Sequence, residues 1–311
     1  MNDISFSFVM PAYKKRFLYQ AIDSILKQRY TNFELIIVND ASPEDLNEVV
    51  SMFNDERIRY EVNEKNIGGQ DLIANWNHCI DYAKNDYIIL ATDDDMFDSD
   101  FLSDAVHMIK KYPGVDLIRS GVKKIDEAGK TLDVEFPLKG HMTCREFTLF
   151  YAKGGTISCV SNYIFRKAAL QGIGGFLSYP RGHYSDDATA LALSLRDVAC
   201  IPSNDVSFRV SGINLSNQSS IGITLDQINA TKQFMEWFMD HVHKQDVTPG
   251  DFFERACYGG YKAQYMGMMT KLLGKFPLSK LFLVIKTIYK NEQLFKKDKL
   301  QLTANYFINK I

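Results

Sequence analysis

Three consecutive carboxylates, Asp93, Asp94 and Asp95, follow the apolar run Tyr87-Ile88-Ile89-Leu90 with only Ala91 and Thr92 between. Acids at adjacent positions repel one another, so the cluster needs a divalent cation or solvent to offset its charge. Hard oxygen ligands suit Mg²⁺ or Mn²⁺, which typically use one or two carboxylates and complete their shell with substrate phosphates. The competing reading is a solvated acidic turn ahead of the next helix, because acids are also favoured at helix N-termini. Other chemistries are poorly supplied. The six histidines form no H-x-x-x-H or H-E-x-x-H pattern, and the five cysteines form no C-x-x-C pair. No G-x-G-x-x-G follows the first apolar run and no G-x-x-x-x-G-K-[ST] occurs anywhere, which counts against a dinucleotide enzyme and a P-loop ATPase.

Tyr87 to Leu90 has the continuous aliphatic character of a parallel strand covered on both faces. Its acids then fall at the carboxyl end, where open α/β sheets bind their ligands. Upstream, Phe6 to Met10 reads as a strand stopped by Pro11, Arg16 to Gln28 as a helix, and Phe33 to Val38 as a second strand ending in Asn39-Asp40-Ala41-Ser42-Pro43. Pro43 with Glu44 and Asp45 suits the first turn of a helix running to Phe53. Arg57 to Val62 is a third strand, Asn66-Ile67-Gly68-Gly69 a turn, and Gln70 to Lys84 a helix. Downstream come a helix from Ser99 to Lys111, a strand from Val115 to Ser120, a polar turn at Glu127-Ala128-Gly129, and a strand from Ser158 to Phe165 leading into a short helix. Gly172 to Phe176 reads as a flexible loop, Ala188 to Arg196 as a helix with Ser185 as N-cap, and Val198 to Ile201 and Val206 to Val210 as short strands. From Thr224 the pattern changes to amphipathic helices over Leu225–His243, Asp251–Leu273 and Leu278–Asn291, divided by Thr248-Pro249-Gly250 and Phe276-Pro277. Strands alternating with helices predict an α/β fold with a mixed, mostly parallel sheet flanked by helices and a C-terminal helical appendage.

The 311 residues can bury a full core, and a formal net charge of −2 argues against nucleic acid as the main partner, because phosphate neutralisation needs a concentrated basic surface. The charge is uneven: Lys271 to Ile311 holds nine lysines against two acids, Glu292 and Asp298. Cys79, Cys144, Cys159, Cys200 and Cys257 are odd in number and widely spaced, which favours reduced thiols in a cytoplasmic protein. The N-terminus lacks a basic region followed by a long apolar one, and Leu281 to Ile285 is far too short to cross a bilayer.

Five segments, FVMPAYKK, IIVNDAS, NIGGQDLIANWNHCIDYAKNDYI, LATDDD and GIGGFLSYPRGHYSDDATALALSLR, occur in this order over roughly the first 215 residues. Together they resemble the family 2 glycosyltransferases of the GT-A (Rossmann-like) fold. The resemblance implies that Pro11, Ala12 and Tyr13 wall a nucleotide base and that Asp40 accepts a hydrogen bond from it; a buried carboxylate can read the N–H of uracil, thymine or guanine. It places Asn66 and Gly68 where the backbone passes close to the nucleotide, although Asn-x-Gly is also common turn chemistry. The family's metal motif is two carboxylates separated by one residue; here Thr92 stands at the first position and Asp94 at the second. Asp94 is therefore assigned to the metal, Asp93 to the ribose or metal, and Asp95 to the metal or the donor sugar, with the register open by one. Asp186 and Asp187 stand where the family has Glu-Asp, whose second member acts as base. A carboxylate about 3 Å from an acceptor hydroxyl can take its proton as the oxygen attacks the anomeric carbon. Both acids equally suit the first turn of a helix. Many relatives have histidine where Ser211 stands, so a third protein ligand for the metal is in doubt. Arg181, in the loop before the base, is a candidate to assist the phosphates, and His183 in the same loop is either a substrate contact or, the favoured reading, an exposed loop histidine.

The resemblance implies an inverting, metal-dependent transferase (Mn²⁺ or Mg²⁺) acting on a UDP, dTDP or GDP sugar and a saccharide or lipid-linked acceptor in bacterial surface polysaccharide synthesis. Residues 1–215 would form the catalytic domain and 216–311 a helical C-terminal region. A nucleotidyltransferase or pyrophosphorylase is one rival, but it calls for a Gly-rich basic loop after the first strand; a non-catalytic glycan-binding relative is the other. The basic tail either packs on the catalytic domain or lies peripherally on the inner face of the membrane, and Leu278, Leu281, Phe282, Ile285 and Ile288 form its expected apolar face.

Overall fold

The computed structural model describes residues 4–155, 157–212, 220–245, 248 and 250–310. It begins β1 (Phe6–Ala12), α1 (Leu18–Leu26), β2 (Phe33–Asn39), α2 (Asn47–Val50), β3 (Ile58–Val62), α3 (Leu72–Ile80) and β4 (Tyr87–Leu90). There follow β5 (Met96–Phe97), α4 (Phe101–Lys111), β6 (Leu117–Ile125), β7 (Thr131–Val134), β8 (His141–Met142), α5 (Cys144–Ala152), β9 (Tyr163–Arg166), α6 (Lys167–Gly172), α7 (Ser185–Leu193) and β10 (Val198–Arg209). The chain closes with α8 (Ile221–His243), α9 (Phe252–Gly274), α10 (Leu281–Tyr289) and α11 (Lys296–Ile308).

The strands form one mixed sheet in the order β3-β2-β1-β4-β9-β6-β10-β5, with β7 on β6 and β8 on β10. Its long ladders, β1–β2, β2–β3, β1–β4 and β6–β10, are parallel; the short strands β5, β7, β8 and β9 join antiparallel. Side chains alternate across a strand. Phe6, Phe8, Met10 and Ala12 of β1 accordingly enter a core with Leu18, Ile22 and Ile25 of α1 and Phe101, Leu102 and Ala105 of α4, while α3 packs on β1 and β4.

Several elements differ from their sequence reading. Pro11 does not end β1, which continues to Ala12 beside β2. The Val9 carbonyl accepts from Ala91 N–H at 2.8 Å, so Pro11, two residues on, looks past the last β4 pair, and its missing N–H removes no ladder bond. The helix expected from Pro43 shrinks to α2 because its polar groups serve a loop instead. Ser42 N–H donates to Asn39 Oδ1 (2.8 Å), Ser42 Oγ–H to the Tyr13 carbonyl (2.6 Å), and Glu44 accepts from Lys15 N–H (2.7 Å). The strand expected from Ser158 starts only at Tyr163, after a 3₁₀ turn at Val160–Asn162. Ser185 lies inside α7, and β10 is one strand whose register shifts between Ile201 and Val206.

Two compact units emerge: Met1–Phe147 with Thr156–Ser178 and Ser185–Gly212, and Thr148–Gly155 with Tyr179–Tyr184 and Ile213–Ile311. The boundary expected between residues 215 and 216, together with Pro249, lies outside the described residues. The helical unit is centred on Phe234, whose ring stacks on Tyr184 (4.6 Å between centroids) and meets Tyr151, Tyr179 and Tyr261 edge-on. His183 belongs to this unit and is half-buried, correcting its reading as an exposed loop residue. Burial first, then the charges of Lys275 and Lys271, push its pKa down to about 4, so it is neutral at physiological pH. In α10 the buried residues are Val284 and Ile288, and Phe282 is 82% exposed. The expected apolar face is therefore divided between an inner and an outer side. No described helix is long and apolar enough to cross a membrane.

Candidate active site

The order β3-β2-β1-β4 places the chain reversal between β1 and β4, the position at which open α/β sheets bind ligands. Four loops leave the carboxyl ends of these strands, and carboxylates fasten them together. Asp40, after β2, accepts at Oδ1 from Asn63 Nδ2 (2.8 Å) and Ile67 N–H (2.8 Å), and at Oδ2 from Gly68 N–H (2.7 Å). Two lone-pair sites per oxygen leave one acceptor site on Oδ2 for a base N–H. Asn63 also bonds Asn75 Oδ1 (3.3 Å) and His78 Nε2 (3.2 Å). Asn66 Oδ1 accepts from Gly69 N–H, closing the turn. A Cβ on Gly68 would stand 3.0 Å from Asp40 Oδ2 and 3.2 Å from Asn75 Nδ2, so a side chain here would have to push these groups aside by a few tenths of an ångström. Of the three residues expected to wall a base, Tyr13 is exposed and Pro11 half-buried, but Ala12 is fully buried in the core.

Adjacent in sequence, the three acids after β4 do different work. Asp93 Oδ2 accepts from Tyr13 N–H (2.8 Å) and Lys14 N–H (2.7 Å), which latches the β1 loop to the β4 loop. Burial and the Asp94 charge push its pKa up to about 6 against those two donors and the Lys14 charge. Asp95 turns inward at 1% exposure, accepting from Ser161 Oγ–H (2.7 Å) and Arg209 N–H (3.0 Å). With both oxygens engaged, Asp95 anchors the turn. Asp94 is raised chiefly by burial, opposed by the Lys14 charge, the Thr92 hydroxyl and the Arg209 charge.

Arg209, at the end of β10, carries no role in the sequence reading. Its guanidinium donates to the carbonyls of Asp94 (2.9 Å), Asp126 (3.2 Å) and Glu127 (3.1 Å), and lies over Phe17 at 4.4 Å. It thereby joins the acidic turn to the β6–β7 hairpin. In the sequence it stands out only as an arginine between Phe208 and Val210. Ser211 is buried nearby in sequence.

Among the described residues no three His, Cys, Asp or Glu side chains are grouped to hold a metal. Asp94 and the remaining oxygen of Asp93 still fit a divalent cation that completes its shell from a diphosphate, since two carboxylates raised by burial gain most from a neighbouring positive charge.

Asp186 and Asp187 lie in the first turn of α7, half-buried. Burial first, and then the Asp187 charge, push Asp186 well above the ordinary carboxylate range. The Cys159 thiol, raised chiefly by burial, also feels the charges of Asp95 and Asp186, which ties the two acidic groups to one neighbourhood. An acid whose native pKa exceeds its unfolded value binds more protons when folded, so stability falls as pH rises through that interval. Asp186→Asn removes this dependence. Its melting temperature relative to the native chain should climb as pH rises above the ordinary carboxylate value of about 4. A difference that stays flat with pH would remove this account of Asp186.

The loop before α7 is held, which corrects its reading as flexible. Asn77 on α3 accepts from Phe176 N–H (2.7 Å) and donates to its carbonyl (3.2 Å), and Thr189 accepts from Leu177 N–H (2.9 Å). Gly175 has φ +89°, and a Cβ there would collide with Asn77. Gly175→Ala should cost about 1–2 kcal/mol through strain and loss of this clamp, read from the urea midpoint; an unchanged midpoint would show the clamp to be dispensable. Arg181, exposed and with φ +59°, falls in the helical unit.

Residues 7–174, more than half of the chain, match the family described as Glycosyl transferase family 2. EpsE of Bacillus subtilis (strain 168) is 29% identical over 188 residues, 58% of this chain and 63% of that protein. The amylovoran biosynthesis glycosyltransferase AmsB of Erwinia amylovora is 34% identical over 119 residues, 37% of this chain and 38% of that protein. The chain thus spans less than two thirds of the length of either relative. Among solved structures, S. aureus TarS 1–349 in complex with UDP-GlcNAc superposes with a TM-score of 0.75 at 14% identity, covering 98% of this chain and 89% of that one. The mannosyltransferase PcManGT from Pyrobaculum calidifontis, in complex with GDP-Man and Mn²⁺, gives 0.53 at 14% identity, covering 99% and 88%. These likenesses show the GT-A fold, and the match over residues 7–174 shows that the chain belongs to glycosyltransferase family 2.

Proposed function

We propose that this glycosyltransferase moves one sugar, with inversion, from a nucleoside diphosphate sugar to a hydroxyl of a saccharide or lipid-linked acceptor in surface polysaccharide assembly. The observation that carries the reading is the set of loops at the carboxyl ends of β3, β2, β1 and β4, fastened by Asp40 and Asp93 around the chain reversal. Tyr13 offers an exposed ring to stack on a base, and the spare acceptor site on Asp40 Oδ2 reads its N–H. Asp187 takes the proton of the attacking hydroxyl, and burial together with the Asp187 charge disfavours ionisation of Asp186 beside it. Held by Asp94 and Asp93, Mn²⁺ or Mg²⁺ would offset the charge that builds on the departing diphosphate. The enzyme would work in the cytoplasm, with the basic C-terminal region at the inner face of the membrane.

The rival nucleotidyltransferase reading lacks its Gly-rich phosphate loop, since the turn after β1, Tyr13-Lys14-Lys15-Arg16-Phe17, contains no glycine. A thermal-shift panel of UDP, GDP and dTDP sugars with and without Mn²⁺ tests the proposal. A shift with one nucleotide class that requires Mn²⁺ supports it, and no shift with any of them removes it. Donor binding without sugar release or transfer would instead favour a glycan-binding relative.

A further inference from the structure

We infer that the outer side of the α10–α11 pair docks on an anionic bilayer surface. Each helix commits one side to packing and turns a second apolar side outward. In α10, Val284 and Ile288 are fully buried, whereas Phe282 is 82% and Tyr289 48% exposed. Phe282, Lys286 and Tyr289 share one stripe at spacings of four and three. In α11, Leu302 and Tyr306 are buried, while Leu300 (55%) and Phe307 (42%) are exposed seven residues apart, with Lys296 one turn before Leu300.

Hydrogen bonds fasten the two helices to one another and to the end of α9. Lys299 Nζ donates to the Tyr289 carbonyl (3.0 Å), Tyr306 OH to the Pro277 carbonyl (3.1 Å), and Lys310 Nζ to the Gly274 carbonyl (2.7 Å). The outward side chains are therefore a property of the folded unit and not of a frayed end.

Charge selects the occupant. Residues 271–311 carry nine lysines and two acids, and one of those acids, Asp298, is buried against Lys262 at 2.7 Å. A second copy pairing through this side by two-fold symmetry would bring lysines onto lysines, which is unfavourable. Aromatic and aliphatic side chains among lysines suit a helix lying in the headgroup region, its rings in the acyl boundary and its ammonium groups on lipid phosphates. No described helix can span the bilayer, so the pair lies on the surface. The inference deepens the proposed function, on which it rests only for the purpose of docking, namely access to a lipid-linked acceptor.

The test uses the full chain, vesicles of phosphatidylcholine alone or with added phosphatidylglycerol, and the variants Phe282→Ser and Lys286→Glu. Sedimentation should show binding only to the phosphatidylglycerol vesicles, weakening as salt is raised. Each variant should lower that affinity by about tenfold while keeping the native melting temperature and donor-induced thermal shift. Equal sedimentation with both vesicles, or variants that bind like the native chain, would overturn the inference. So would a salt-stable dimer that the variants dissociate, since it assigns this side to a second copy. Loss of the donor shift with vesicle binding intact would count against the proposed function alone.

Discussion

Asp187→Asn is expected to lower turnover by roughly 10²-fold or more while donor affinity barely moves. Asparagine keeps the shape of the side chain in the first turn of α7 and can still donate and accept hydrogen bonds, but it cannot take the acceptor's proton. The helix N-terminus favours an ionised acid here, and burial with the charge of Asp187 disfavours ionisation of Asp186 as well. Steady-state kinetics separate the outcomes: a fall in kcat at constant donor Kd fits a base, whereas a parallel loss of donor affinity fits a structural or donor-binding residue. If Asp186→Asn gives the first pattern and Asp187→Asn does not, the two acids exchange roles.

Asp94→Ala should weaken Mn²⁺-dependent donor binding by at least roughly 100-fold, since even supporting residues around metal ligands are worth 10–100-fold. The fold should survive, because the turn is held through other atoms: Arg209 grips the Asp94 carbonyl and Asp95 is fixed by Ser161 and Arg209 N–H. Relieving the burial of an extra acid should even raise stability slightly. Calorimetry of donor with and without Mn²⁺ decides the matter, and unchanged metal-dependent binding would remove Asp94 from the metal.

The strands that build the site were legible because each is a short apolar run with a polar end; Tyr87–Leu90 matches its sequence reading in full. The two-residue strand Met96–Phe97 has no periodicity to read. The polar stretch Pro202-Ser203-Asn204 made β10 look like two strands, although the parallel ladder to β6 resumes beyond it. Helix α11 escaped because it opens on Lys296-Lys297-Asp298-Lys299, which reads as solvated chain until Asp298 is seen buried against Lys262. Within the site, the acidic residues were identifiable but their separate duties were not. Adjacency in sequence cannot show that Asp93 holds the β1 loop while Asp95 points inward to Ser161, a residue 66 positions away. Arg209 and Asn63 act through backbone carbonyls and a buried carboxylate, contacts that leave no spacing pattern.

The latches at Asp40 and Asp93 also bear on how a donor arrives. Loops that order only around a ligand subtract their lost freedom from the binding free energy, and they slow capture by the time the ordering takes. Here that ordering is completed during folding, because Tyr13, Lys14, Ile67 and Gly68 are held by internal carboxylates through their own backbone N–H groups. A nucleotide bound as proposed would meet a preorganised rim. Its association would be that of one rigid body docking on another, with affinity among donors set by how long each stays rather than by how fast it is captured.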